Sequence, residues 1–127
     1  MTQVALIVGL PGSGKTHLAV MDYVTRGYVL VDDPTDVKDV LGAVKAHDKV
    51  VVTDPHLCHS NVRAVAIQLL QDNGCEVQCV YFANNPEKAA KNVDQRRDGR
   101  GPINMGVFSR FYEVPVGVET LPVYEKP

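Results

Sequence analysis

The stretch that most constrains this chain runs from Gly9 to Thr16 and reads G-x-x-x-x-G-K-T. Its flanks decide whether the pattern has structural meaning. Upstream, Val4 to Val8 is an uncharged apolar run of the kind that forms a strand buried on both faces. Downstream, His17 to Arg26 places Leu18, Met21 and Val24 on one predicted helical face, and Gly27 follows as a terminator. Strand, glycine turn and helix are the setting in which this spacing forms a phosphate-binding loop. Glycines allow backbone dihedrals that let successive N–H groups converge on one anion. The helix that follows adds the partial positive charge of its N-terminus. In that geometry Lys15 reaches the β- and γ-phosphates of a nucleotide and the Thr16 hydroxyl holds Mg²⁺.

The bulk properties narrow the class. At 127 residues the chain is expected to form a single domain over 1–127 with one core. A net charge of −2 argues against a broad nonspecific nucleic-acid surface but leaves room for a local basic patch. The N-terminal apolar run lacks a basic leader and leads straight into the glycine loop, so it is expected to be a core strand rather than a signal peptide. No stretch reaches the length of a membrane span. Cys58, Cys75 and Cys79 are an odd set without metal-site spacing, and His56 and His59 beside Pro55 read as loop residues. The expected setting is reduced and cytoplasmic.

Further along, Tyr28–Val31 reads as a second strand ending at Asp32 and Asp33. Asp33 is the expected N-cap and Pro34 the expected first residue of a helix whose stripe is Val37, Val40, Leu41 and Val44. Lys49–Thr53 reads as a third strand, stopped by Asp54 and Pro55. A helix from about Ser60 to Asn73 is expected to bury Val62, Val65, Ala66, Leu69 and Leu70, and Gly74 ends it. Glu76–Phe82 is a fourth strand. Asn85 and Pro86 open a helix from Glu87 to about Arg96, Asn104 is expected to cap a short helix through Tyr112, and an edge strand is expected around Glu119–Tyr124. Alternating strands and helices predict an α/β fold: a three-layer αβα sandwich around a mostly parallel sheet of four to five strands.

Ligands in such sheets bind beyond the carboxyl ends of the strands. Asp32 ends a strand expected to neighbour the one that feeds the glycine loop. It is the candidate general base for a hydroxyl attacking a γ-phosphate, with Asp33 left to cap the helix. Asp54 follows an apolar strand, as does the acid that holds Mg²⁺ in such enzymes. Arg96, Arg97 and Arg100, set among Gly99 and Gly101, read as a cationic lid over phosphates around 96–101.

Gly9–Thr16, the strand ending at Asp32 and Asp33, the Thr53–Leu57 segment, and the arginine stretch followed by Pro102, Ile103 and Asn104 occur in a familiar order. In these residues the chain resembles the small P-loop kinases grouped around phage polynucleotide kinase, which include zeta-toxin-like and gluconate-kinase-like enzymes. The resemblance covers most of residues 3–115. It implies ATP and Mg²⁺ as cofactors, with Gly9, Pro11, Gly12, Ser13, Gly14, Lys15, Thr16, His17, Arg96 and Arg100 at the nucleotide. It further implies Thr16 at the metal, Asp54 near the substrate or the metal, Asp32 as base and Arg96 or Arg97 as the catalytic lid arginine. Pro34, Thr35 and Asp36 stand where the polynucleotide kinase carries an arginine, and the interval from Asp32 to Asp54 is far shorter than in that kinase.

The expected function is transfer of the γ-phosphoryl group of ATP to a hydroxyl, with a polynucleotide 5′-OH first among acceptors. The alternatives are a kinase for a nucleotide or small metabolite, and a nucleotide-binding or ATPase module that regulates a partner. ATP, ADP and the acceptor are the expected ligands, with no membrane partner. Exposed edge strands permit a dimer without requiring one.

Overall fold

The computed structural model describes residues 1–34, 36–94 and 105–124, less the Asp94 side chain. Five strands form one sheet in the order β2-β3-β1-β4-β5: β1 (Thr2–Val8), β2 (Val29–Asp32), β3 (Lys49–Thr53), β4 (Cys75–Phe82) and β5 (Thr120–Leu121). Every pairing is parallel. The expected α/β architecture is therefore present, and the sheet is fully parallel with a short fifth strand at its edge.

Strand alternation divides the core. Val4, Leu6 and Val8 of β1 and Val50 and Val52 of β3 pack toward α2 (Val37–Ala46) and α3 (Ser60–Asp72) through Val40, Val44 and Leu70. Ala5, Ile7 and Val51 point the other way and meet Ala19 and Tyr23. Those two residues lie in the helical segment after the glycine loop, which starts as α1 (Lys15–Leu18), widens into a π-turn over Ala19–Tyr23 and tightens into a 3₁₀ turn over Val24–Arg26. It ends at Gly27, whose φ of 93° only glycine adopts readily.

Four expectations are corrected. Asp32 does not end a neighbour of β1, because β3 lies between β1 and β2. The first helical segment buries Lys15, Ala19 and Tyr23 and leaves Met21 and Val24 exposed, since the π-turn widens the helix there and Tyr23 is held edge-on by Tyr28. The N-cap of α2 is Asp36, which accepts the Lys38 amide at 3.0 Å, and not Asp33. Asp33 takes a left-handed φ of 47° and donates its amide to the Thr53 carbonyl at 2.7 Å, which ties the end of β2 to β3. Finally, α3 buries Arg63 and Leu70, while Val62 and Val65, on the wall of a cavity toward α2, are left exposed.

The remaining helices are α4 (Pro86–Asp94) and α5 (Met105–Phe111). Asn85 opens α4 by accepting the Lys88 amide at 3.2 Å. The expected lid around 96–101, with Arg96, Arg97 and Arg100, and the expected cap Asn104 lie outside the described residues. Among the described residues no helix is long and apolar enough to cross a membrane.

Candidate functional site

The site is built around the loop after β1. Gly12 and Gly14 have φ of 84° and 104°. A Cβ on Gly12 would lie 2.3 Å from the Ala89 carbonyl oxygen, and one on Gly14 would lie 2.6 Å from the Tyr124 Cβ. Both conformation and space therefore demand glycine, and α4 and the segment after β5 form the wall that imposes this. Asn92 of α4 completes the wall: its Nδ2 donates to the Gly12 carbonyl at 2.8 Å and to the Tyr124 carbonyl at 2.6 Å. The Tyr124 amide in turn donates to the Ser13 carbonyl at 2.9 Å. The loop is clamped from outside, which keeps its backbone preorganised.

Within the loop, the Ser13 hydroxyl donates to the Leu10 carbonyl at 2.7 Å and the Lys15 ammonium donates to the same carbonyl at 2.9 Å. Lys15 is buried although it carries a charge, and the loop carbonyl helps hold it there. His17, two residues beyond Lys15, is exposed, with its ring stacked on Tyr124 at 4.4 Å between centroids. The pair lines a cavity of about 600 Å³ together with Gly14, Phe82 and Lys88.

Asp32 stands at the mouth of the loop. Its Oδ1 accepts the Thr16 hydroxyl at 3.1 Å and the Thr53 hydroxyl at 2.5 Å. Three elements thus converge on one carboxylate, although β2 and β1 are not neighbours. Asp54 behaves differently. It is the N-cap of a 3₁₀ turn over Pro55–Cys58, and its Oδ1 accepts the His56 amide at 2.9 Å and meets the His56 Nδ1 at 2.8 Å. The structure therefore brings Thr16 to Asp32 and places Asp54 with His56. Mg²⁺ takes oxygen ligands and keeps several waters and phosphate oxygens, so one or two protein oxygens suffice. The Thr16 hydroxyl could serve as one such oxygen and Asp54, at the same end of the sheet, as another, while Asp32 accepts the Thr16 hydroxyl.

Several supporting residues carried no readable signal. Arg63 is buried in α3, donates to the Leu57 carbonyl at 3.0 Å and the Glu113 carbonyl at 2.8 Å, and lies over the Tyr81 ring. Tyr112 donates to the Phe82 carbonyl, and burial raises its phenol above the usual range. Cys58 lies behind the loop near Gly9, where burial pushes its thiol up to about 11 despite the nearby Lys15 and Arg63 charges. That is a structural thiol and no nucleophile.

With this geometry in place, the chain can be set beside known proteins. It is 36% identical over 120 residues to an uncharacterized protein of Acanthamoeba polyphaga mimivirus, covering 88% of this chain and 87% of that protein. The two belong to one family. The chain is also 30% identical over 95 residues to a bifunctional polynucleotide phosphatase/kinase of Schizosaccharomyces pombe. That match covers 71% of this chain but only 23% of the yeast protein. No protein-family model matches.

Proposed function

We propose that this chain is an ATP- and Mg²⁺-dependent kinase that moves the γ-phosphoryl group to a hydroxyl, a nucleic-acid 5′-OH being the first acceptor to test. The observation that carries the reading is the convergence of Thr16, Asp32 and Thr53 at the mouth of the clamped glycine loop. Loop amides and Lys15 would bind the β- and γ-phosphates. The nucleobase would enter the cavity beside His17 and Tyr124. Bound Mg²⁺ would supply charge neutralisation on the phosphates, held by Thr16 and a carboxylate.

In the transfer, Asp32 takes the proton of the acceptor hydroxyl as its oxygen attacks the γ-phosphorus in line. The new O–P bond forms as the bond to the β-phosphate oxygen breaks, and ADP leaves. Thr53 fixes the Asp32 carboxylate by donating to the same oxygen that Thr16 contacts, which leaves Oδ2 as the basic atom. The arginines at 96, 97 and 100 would add cationic groups on the phosphates, as the family resemblance implies.

A nucleotide or small-metabolite kinase is the second reading. It is favoured by the short interval from Asp32 to Asp54, which leaves little chain for a long acceptor groove. Both readings are tested by transfer from γ-labelled ATP with Mg²⁺ to 5′-OH DNA, 5′-OH RNA and a panel of nucleosides. Label on an acceptor that disappears in Asp32→Asn supports the reading. ATP binding with no acceptor labelled would overturn it in favour of a binding module.

A further inference from the structure

After β5 the chain turns back over the glycine loop. That strand is only two residues long, Thr120 and Leu121, and pairs with Tyr81 and Phe82 at the end of β4. The Leu121 carbonyl accepts the Ala83 amide at 2.8 Å, and Val123 then buries its side chain in the main core. Thr120, Leu121 and Pro122 are exposed, so Val123 is the buried apolar anchor of the segment. Tyr124 meets the loop in three ways. Its amide donates to the Ser13 carbonyl at 2.9 Å, its carbonyl accepts the Asn92 Nδ2, and its ring stacks on His17. Its Cβ fills the space that a side chain on Gly14 would need.

The bond to Ser13 bears on anion binding. The Ser13 carbonyl and the Gly14 amide belong to one peptide unit, and a trans peptide points the two in opposite directions. With the carbonyl drawn outward by Tyr124, the Gly14 N–H is turned inward, away from the segment. Amides that converge on one anion need their peptide planes held. Lifting Tyr124 off the loop would free this plane to rotate.

We propose that Thr120–Tyr124 is a strap whose seating switches the loop into its anion-binding form, so that strap seating and diphosphate binding favour each other. The inference rests on reading the loop as a phosphate site. A two-residue edge strand lies at the low end of local stability, so the lifted arrangement is the accessible alternative. A ligand that prefers the seated form raises its population, and its apparent affinity is scaled by the seated fraction. Such coupling is reciprocal and typically worth about 5–150-fold. Anything that grips the end of the strap then sets affinity at the loop without touching the ligand.

Amide hydrogen exchange is followed on the full chain, alone and with inorganic pyrophosphate or ADP; pyrophosphate has no base to reach the cavity beside Tyr124. Either probe at saturation is expected to slow exchange of the Ala83 and Tyr124 amides by about tenfold. Val123→Ala, which trims the anchor, should weaken pyrophosphate and ADP by the same factor, about tenfold. Val44→Ala trims a buried side chain of α2 instead and should leave both affinities unchanged. Tyr124→Pro removes the amide that holds Ser13 and should weaken pyrophosphate as Val123→Ala does, which keeps the test open if that variant fails to fold.

Binding with unchanged exchange at Ala83 and Tyr124 would overturn the proposal. So would a Val123→Ala protein that loses ADP but keeps pyrophosphate, since the segment would then be only a wall for the base. An equal loss in Val44→Ala would reduce the effect to general destabilisation and overturn it too. If neither probe binds wild type, the phosphate-site reading falls, and the strap is judged on the unliganded protein. Faster exchange of Tyr124 together with Ser13, whose amide donates to the Leu10 carbonyl at 3.0 Å, would support the coupling in Val123→Ala; unchanged Ser13 exchange would sink it. Probes bound through a seated strap, with no acceptor ever phosphorylated, would count against the kinase reading and leave the strap standing.

Discussion

Asn92→Ala offers the sharpest test of how the glycine loop is held. Asn92 is buried, and its amide donates both to the Gly12 carbonyl inside the loop and to the Tyr124 carbonyl beyond β5. Removing it leaves a buried loop carbonyl without that donor, which costs about 1–3 kcal/mol. The Tyr124 bond is only partly buried, so water can replace some of it and its loss adds about 0.5–1.5 kcal/mol. The sum is a destabilisation of about 1.5–4.5 kcal/mol, or a drop of about 1–2 M in the urea midpoint for an ordinary slope. Asn92→Asp should be at least as damaging, because a carboxylate would face two carbonyl oxygens with no proton to donate. Equilibrium urea unfolding of the three proteins measures this directly. A loss below about 1 kcal/mol for Asn92→Ala would refute the clamp, since it would mean that neither carbonyl depended on the amide.

Lys15→Ala should remain folded while nucleotide affinity or turnover collapses; normal phosphotransfer by that variant would remove the loop from the site. Asp32→Asn is expected to bind ATP normally in a calorimetric titration yet lose transfer by about 10²–10⁴-fold, the usual worth of a positioned base. Gly14→Ala should unfold more easily, since the new methyl group would press on Tyr124 in a backbone region hostile to alanine; an unchanged melting curve would contradict the geometry. Because burial raises the Cys58 thiol to about 11, the folded state holds that proton more tightly than the unfolded one. Its contribution is present below about pH 9 and is lost as pH rises through about 11, a change of roughly 2–3 kcal/mol. Cys58→Ala should flatten that decline in alkaline denaturation, whatever its own effect at neutral pH.

The strands were legible because each is an uninterrupted apolar run, and the loop because its spacing is tied to one backbone geometry. Strand order was not legible: β1, β2 and β3 are similarly apolar, so nothing local says which of β2 and β3 lies beside β1. The α2 cap was ambiguous because Asp33 and Asp36 have the same chemistry, and Asp33 is drawn instead to the Thr53 carbonyl. In α3 the periodicity marked an apolar face but could not show that Val62 and Val65 would be left exposed on the wall of a cavity, or that Arg63 would be buried. Asn92, Arg63 and Tyr112 left no pattern because their partners are main-chain carbonyls, which every residue carries. Only the folded arrangement selects which ones they meet.

The two carboxylates at the carboxyl end of the sheet differ in how they are held, and that difference bears on their roles. Asp54 is engaged from within its own turn, by the amide and ring of His56. Asp32 is engaged from outside its own strand, by Thr16 at the start of α1 and by Thr53 at the end of β3. Thr53 is fully buried, so its hydroxyl is a fixed donor rather than a solvent-exposed rotor. A general base must keep its position relative to the phosphates while the acceptor arrives. The phosphates of a nucleotide bound as proposed would be positioned by the residues that lead into Thr16, and Asp32 is the acid tied to that same threonine. Placing β3 between β1 and β2 thus separates Asp32 from the loop strand in the sheet, yet supplies the buried hydroxyl that fixes it at the loop's mouth.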